Sequence, residues 1–162
     1  MATEIERKFR VANDGWRAGV SASTRLRQGY LANTSRASIR VRIAGEQAWL
    51  SVKAMTPGRA RAEYEFDIPP ADANQMLSLC EGPAIEKWRH EVMHAGDCWE
   101  IDEFLGENAG LVIAELELDS EQQPFEHPAW LGAEVTDDER YYNFRLAQQP
   151  YSRWPERSRG RA

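Results

Sequence analysis

Apolar and polar residues alternate with a period of two through one short segment after another of this 162-residue chain. In residues 37–44, Ser38, Arg40 and Arg42 interleave with Ile39, Val41 and Ile43. In residues 111–119, Glu115, Glu117 and Asp119 interleave with Ala114, Leu116 and Leu118. Successive strand side chains point to opposite faces, so the pattern predicts half-buried strands. It marks them at 3–11, 24–32, 37–44, 47–54, 60–68, 85–93, 97–104 and 111–119. "AGEQ" (44–47) and "HAGD" (94–97) predict hairpin turns, because glycine supplies the backbone freedom a tight reversal needs. Helical segments are predicted at 13–20, 70–81 and 137–148. The second opens on Pro69 and Pro70 and stops before Gly82 and Pro83. The third takes Thr136 as N-cap, with Asp137, Asp138 and Glu139 at the positive end of its dipole.

The polar faces of the strands are sorted by sign. Arg40 and Arg42 share one, Lys53 sits on the next, and Lys87 and Arg89 share another. Glu4 and Glu6, Glu100 and Asp102, and Glu115 and Glu117 form acidic faces elsewhere. A charged strand face usually meets water. Against that reading, the signs are not mixed at random, and the neutral polar residues common on wetted faces are almost absent. A sheet of this many strands can curl and close, placing its charged face in a lumen. The expected fold is therefore α+β and mainly antiparallel β, a closed eight-stranded barrel with helices packed outside. Enclosed charges are costly unless paired or bound to something of opposite sign. Arg40, Arg42, Lys53, Lys87 and Arg89 suit a phosphate chain. Glu4, Glu6, Glu115 and Glu117 suit a hard divalent cation. A polyphosphate carrying its metal ions satisfies both sets.

Bulk properties narrow the partners. The length fits one domain, read here as residues 1–148, and the Arg-rich, Pro-broken stretch 149–162 is expected to be a mobile tail. A net charge of -6 argues against a nucleic-acid partner, so any anion site depends on local placement of bases. No apolar run is long enough to span a bilayer and no signal-peptide pattern opens the chain, so no membrane partner and a cytoplasmic location are expected. Cys80 and Cys98 are too few for a disulfide framework. A monomer or homodimer is expected.

"HEVMH" (90–94) matches the H-E-x-x-H pattern of zinc hydrolases. That chemistry needs a helix, so that both histidines meet one metal. Here Trp88, His90 and Val92 alternate with Arg89, Glu91 and Met93, and a glycine turn follows. The segment reads as a strand, and zinc is disfavoured.

"EIERKF" (4–9) resembles the ExExK signature of the CYTH, or triphosphate tunnel metalloenzyme, family. "RQGYL", "SIRVR", "LSVK", "AEYEF", "IEKWRHEV", "WEIDEF" and "IAELEL" follow in the family's order, and "EVTDDERYYN" is similar to the closing segment of short bacterial members. The resemblance covers about residues 3–148. It implies a barrel forming a tunnel for a small-molecule triphosphate. It implies Mg²⁺ or Mn²⁺ held by Glu4 and Glu6 with Glu115 and Glu117 across the tunnel, assisted by Asp102. Phosphate contacts would come from Arg40, Arg42, Lys53, Lys87 and Arg89, and Arg140 would close one mouth. Lys8, with Tyr30 nearby, would sit at the water-activating end, and Glu63 and Glu65 would orient bases or help coordinate metal. A lysine base needs a depressed pKa, which neighbouring cations would supply. The implied activity is metal-dependent hydrolysis of tripolyphosphate to pyrophosphate and orthophosphate. A nucleotide-acting enzyme of the same fold (a class IV-like adenylate cyclase, or a nucleoside or thiamine triphosphatase) and a non-catalytic polyphosphate-binding module are the alternatives.

Overall fold

The computed structural model describes residues 2–55 and 60–155. Among the described residues nine strands form in chain order: β1 (Ala2–Val11), β2 (Val20–Asn33), β3 (Ala37–Ala44), β4 (Gln47–Ala54), β5 (Ala60–Asp67), β6 (Ile85–His94), β7 (Asp97–Phe104), β8 (Val112–Glu117) and β9 (Leu131–Glu134). Two short α-helices accompany them, α1 (Pro70–Leu77) and α2 (Asn143–Gln148). Spatial order is β5-β4-β3-β2-β6-β7-β8-β1, and β1 returns to β5, so the eight strands close. Every pairing is antiparallel. Strand β1 is shared along its length: residues 2–5 pair with β5, residues 6–10 with β8, and Phe9 and Val11 with the added strand β9. The β6–β7 hairpin turns on Ala95 and Gly96, both at positive φ (50° and 84°), as a two-residue reversal requires.

Alternation places one face of each strand inward, and the outer face is covered in pieces. Phe9, Trp99, Ile101, Ala114 and Leu116 lie outside β1, β7 and β8, packed under Trp16, Phe125 and Trp130. Helix α1 lays Ala73 on Val41, Ile43 and Ala48 of β3 and β4. A third cluster joins Ile85, Phe104 and Ile113 to Tyr141, Leu146, Tyr151 and Trp154. Ile85, Phe104 and Ile113 have the same parity as Lys87, Asp102 and Glu115. The inward face thus turns apolar at this end, where α2 and residues 150–154 pack against it.

Several expectations change. Residues 13–20 form a six-residue 3-10 turn (Asp14–Gly19) capped by Asn13, whose side chain accepts the Gly15 N–H. Segment 137–148 divides into a 3-10 turn (Glu139–Tyr141) and α2. Thr136 caps neither; its hydroxyl accepts the Lys8 backbone N–H at 3.0 Å and donates to Glu134 at 2.6 Å. Among the described residues, α1 packs on the side of the barrel and α2 at one end, with connecting segments over much of the rest. Within the expected tail, Tyr151 and Trp154 are buried against the body, and the Trp154 ring packs edge-on to both Tyr151 and Tyr141. Residues 156–162 lie outside the described part. The outer face of β5 is open, with Tyr64 45% and Phe66 56% exposed, so its alternation does not mark a core. Among the described residues, no helix is long and apolar enough to cross a membrane.

Candidate active site

The barrel encloses a cavity of about 380 Å³. Among the described residues, its lining holds seven basic and seven acidic side chains, so the charge within nearly cancels. Lys8, Arg40, Arg42, Lys53, Lys87 and Arg89 are there, as are Glu4, Glu6, Glu63, Glu65, Glu115, Glu117 and Tyr30. Register explains the convergence. Glu6 lies opposite Glu117 and Lys8 opposite Glu115 across β1 and β8, while Arg40 faces Tyr30 on β2 and Ser51 on β4. Arg61, Glu100 and the α2 residues Asn143 and Phe144, preceded by Tyr142, complete the wall without having been assigned a role from sequence. Glu100 already stood on an acidic strand face, and Arg61 shares the parity of Glu63 and Glu65. Nothing periodic marked the α2 residues, which reach the lumen from the end.

The cations are crowded together and incompletely matched. Arg42 is pushed down to about 9 by burial and by Arg40 and Arg89. Arg40 Nε is buried without a hydrogen-bond partner, and its guanidinium comes only within 4.0 Å of Glu63. A buried donor on a charged group is expensive to leave unpaired, and an anion would satisfy it. On the acidic side, Glu117 is pushed up by burial and by Glu4, Glu6 and Glu63. Such mutual repulsion among carboxylates is relieved by a divalent cation, and the donor set is all oxygen. The residues therefore fit the metal that the resemblance implies. In the present arrangement no three potential ligands converge on one point among the described residues. Lys53 holds Glu4 at 2.9 Å, and Lys8 holds Glu6 at 3.3 Å and Glu115 at 3.0 Å.

Three of the expected roles do not match the geometry. Asp102 lies on the inward face but is fully buried beneath Lys87 and Arg89. Its oxygens accept from Lys87 at 2.7 Å and from Arg89 at 2.8 and 2.9 Å. Burial, which would raise it, is outweighed by Arg89 and Lys87, so Asp102 stays ionised and orients two bases. Arg140 lies outside the cavity, exposed, with its guanidinium on Asp138 at 2.8 Å and over the Tyr141 and Trp154 rings. Lys8 is buried among carboxylates, not cations. Burial, which would lower its pKa, is outweighed by Glu115 and Glu6, and the ammonium is held well above its ordinary value. The Tyr30 hydroxyl lies 3.4 Å from Gln28 Nε2, and its ring packs on Phe144; no bond joins it to Lys8. His90 lies on an outer face, with Nδ1 2.7 Å from the Ser23 hydroxyl and Nε2 3.0 Å from Glu103. That occupation, on a strand, removes the zinc reading.

Fold and site together define an antiparallel tunnel barrel whose lumen is walled by opposed cations and carboxylates. The sequence profile of the CYTH domain matches residues 2–145, and the chain belongs to that family. An inorganic triphosphatase of Acetivibrio thermocellus is 45% identical over 157 residues, covering 96% of this chain and 100% of the relative. An inorganic triphosphatase of Nitrosomonas europaea is 38% identical over 149 residues, covering 90% and 97%. A crystal structure of an inorganic triphosphatase superposes with a TM-score of 0.65 at 37% identity, covering 89% of this chain and 97% of its own.

Proposed function

We propose that the protein is an inorganic triphosphatase, hydrolysing tripolyphosphate to pyrophosphate and orthophosphate with Mg²⁺ or Mn²⁺, in the cytoplasm, as a monomer or homodimer. The observation that carries this reading is the unpartnered, buried Arg40 Nε within a cluster of guanidiniums facing a bank of carboxylates. The names of the two relatives support the substrate. Arg40, Arg42, Lys53, Lys87 and Arg89 bind phosphate oxygens, and Arg61 joins them at the wall nearest α2. Glu4, Glu6, Glu115 and Glu117, with Glu63 beside them, hold the divalent ion; Glu65 orients Ser51, 3.4 Å away. When bound, the ion supplies neutralisation of phosphate charge and a more acidic bound water. Phosphoryl transfer asks the protein mainly for positioning and charge stabilisation, which this wall provides. Lys8 works as an ammonium, stabilising charge on the leaving phosphate, and Tyr30 donates its hydroxyl to a phosphate oxygen.

The test is a product panel on tripolyphosphate and ATP with Mg²⁺, Mn²⁺ or chelator. Orthophosphate and pyrophosphate from tripolyphosphate, lost in chelator, are expected. Dominant cAMP formation from ATP would move the protein to the cyclase class, and full activity in chelator would remove the metal.

A further inference from the structure

We infer that Asn143 is a positioning residue that sets Lys87 and, through Gln28, Arg42 in place for the phosphate chain; this rests on the triphosphatase reading above. Asn143 Oδ1 accepts from Lys87 Nζ at 2.8 Å and from Gln28 Nε2 at 3.1 Å. Gln28 Oε1 in turn accepts from Arg42 Nε at 2.9 Å. Ammonium and guanidinium groups only donate, so with Lys87 protonated each amide must turn its oxygen toward its cation. The Gln28 amide nitrogen is then left facing Asn143, and the direction of every bond in the chain is fixed. Beyond Lys87 the chain continues to Asp102 and ends on Arg89. Three phosphate-binding cations are thereby joined through residues that carry no positive charge of their own.

Burial gives these bonds their weight. Gln28 and Lys87 are completely buried, so a lost partner is not replaced by bulk water. Asn143 also rides on an anchored element. Leu146 of α2 is buried in the apolar end of the barrel, and the hydroxyl of the preceding Tyr142 donates to the Thr136 carbonyl at 3.0 Å. Long basic side chains must lose rotamer freedom to grip a phosphate, and Asn143 imposes that order before substrate arrives.

The experiment compares Asn143→Ala, Gln28→Ala, the double variant and Arg145→Ala, an exposed change on the same helix, in steady-state hydrolysis of tripolyphosphate well below each melting temperature. Asn143→Ala is expected to lower kcat/KM at least tenfold, with most of the loss in KM, while Arg145→Ala behaves as wild type. The double variant should lose little more than Asn143→Ala alone, because both changes cut one chain. Partial unfolding would instead reduce the active fraction, lowering apparent kcat at unchanged KM. An unchanged KM in Asn143→Ala, or fully additive losses, would overturn the inference. Absence of tripolyphosphate hydrolysis by the wild-type protein would instead overturn the proposed function.

Discussion

Lys87 shows how a residue's chemistry follows from its surroundings. It is fully buried, and burial together with Arg89 and Arg42 pushes its ammonium down to about 7 against the opposing pull of Asp102. Phosphate oxygens in the lumen favour the charged form, so binding raises this pKa. Below about pH 6 the group is already protonated and binding changes nothing there. Above 7 the free group is largely neutral, binding takes up a proton, and affinity falls as pH rises. Calorimetry of tripolyphosphate binding at pH 8, in buffers of different ionisation heat, should record this uptake, and Lys87→Arg, which stays charged, should diminish it. Equal uptake in the two proteins would assign the proton elsewhere. At this scale the sequence was a good guide to placement and a poor one to environment. Parity put Lys8, Arg40, Arg42, Lys53, Lys87 and Arg89 in the lumen. It could not show that Glu115 joins Glu6 on Lys8, because that contact depends on register between β1 and β8, which are far apart in sequence, nor that Lys87 and Arg89 together bury Asp102.

At the scale of elements, strands were more legible than helices. Period-two alternation is a local signal, and 37–44, 47–54 and 97–104 emerge with the predicted bounds. Strand β9 has only four residues and pairs with β1 over a long separation, so no local period announced it. The segment after Pro150 misled for a related reason. Its prolines and arginines suggest a solvated tail, whereas Tyr151 and Trp154 are the parts that dock. Trp154 is 6% exposed, meets Tyr141 and Tyr151 edge-on, and donates Nε1–H to the Gln149 carbonyl at 3.1 Å. Trp154→Ala is therefore expected to destabilise the protein by about 3–5 kcal/mol, in the range for large-to-small core changes. Urea unfolding would measure it, and a midpoint within error of wild type would show that the segment only rests on the surface.

For the whole molecule, the governing feature is that two banks of opposite charge neutralise each other while enclosed. Lys53 is shared by Glu4 and Glu63, Lys8 by Glu6 and Glu115, and Arg89 by Asp102, Glu100 and Glu115. Closure into a barrel was readable from the number of half-apolar strands, yet the net charge of -6 gave no hint of so many enclosed bases. An anion entering alone takes cations from their carboxylates and leaves those carboxylates unpaired. A divalent cation entering alone does the converse. Each ligand thus meets a cost that the other removes, which is positive coupling between them. Tripolyphosphate and Mg²⁺ together should raise the melting temperature by more than the sum of their separate shifts. A ligand at 100 times its Kd adds about 2.7 kcal/mol, or roughly 5–10 °C for a chain of this size. A variant that binds without turnover would keep the ligand intact during the scan, and Lys8→Ala serves if it proves inactive. Additive shifts would mean that the banks act as separate sites, and the single-ligand design of the lumen would then fail.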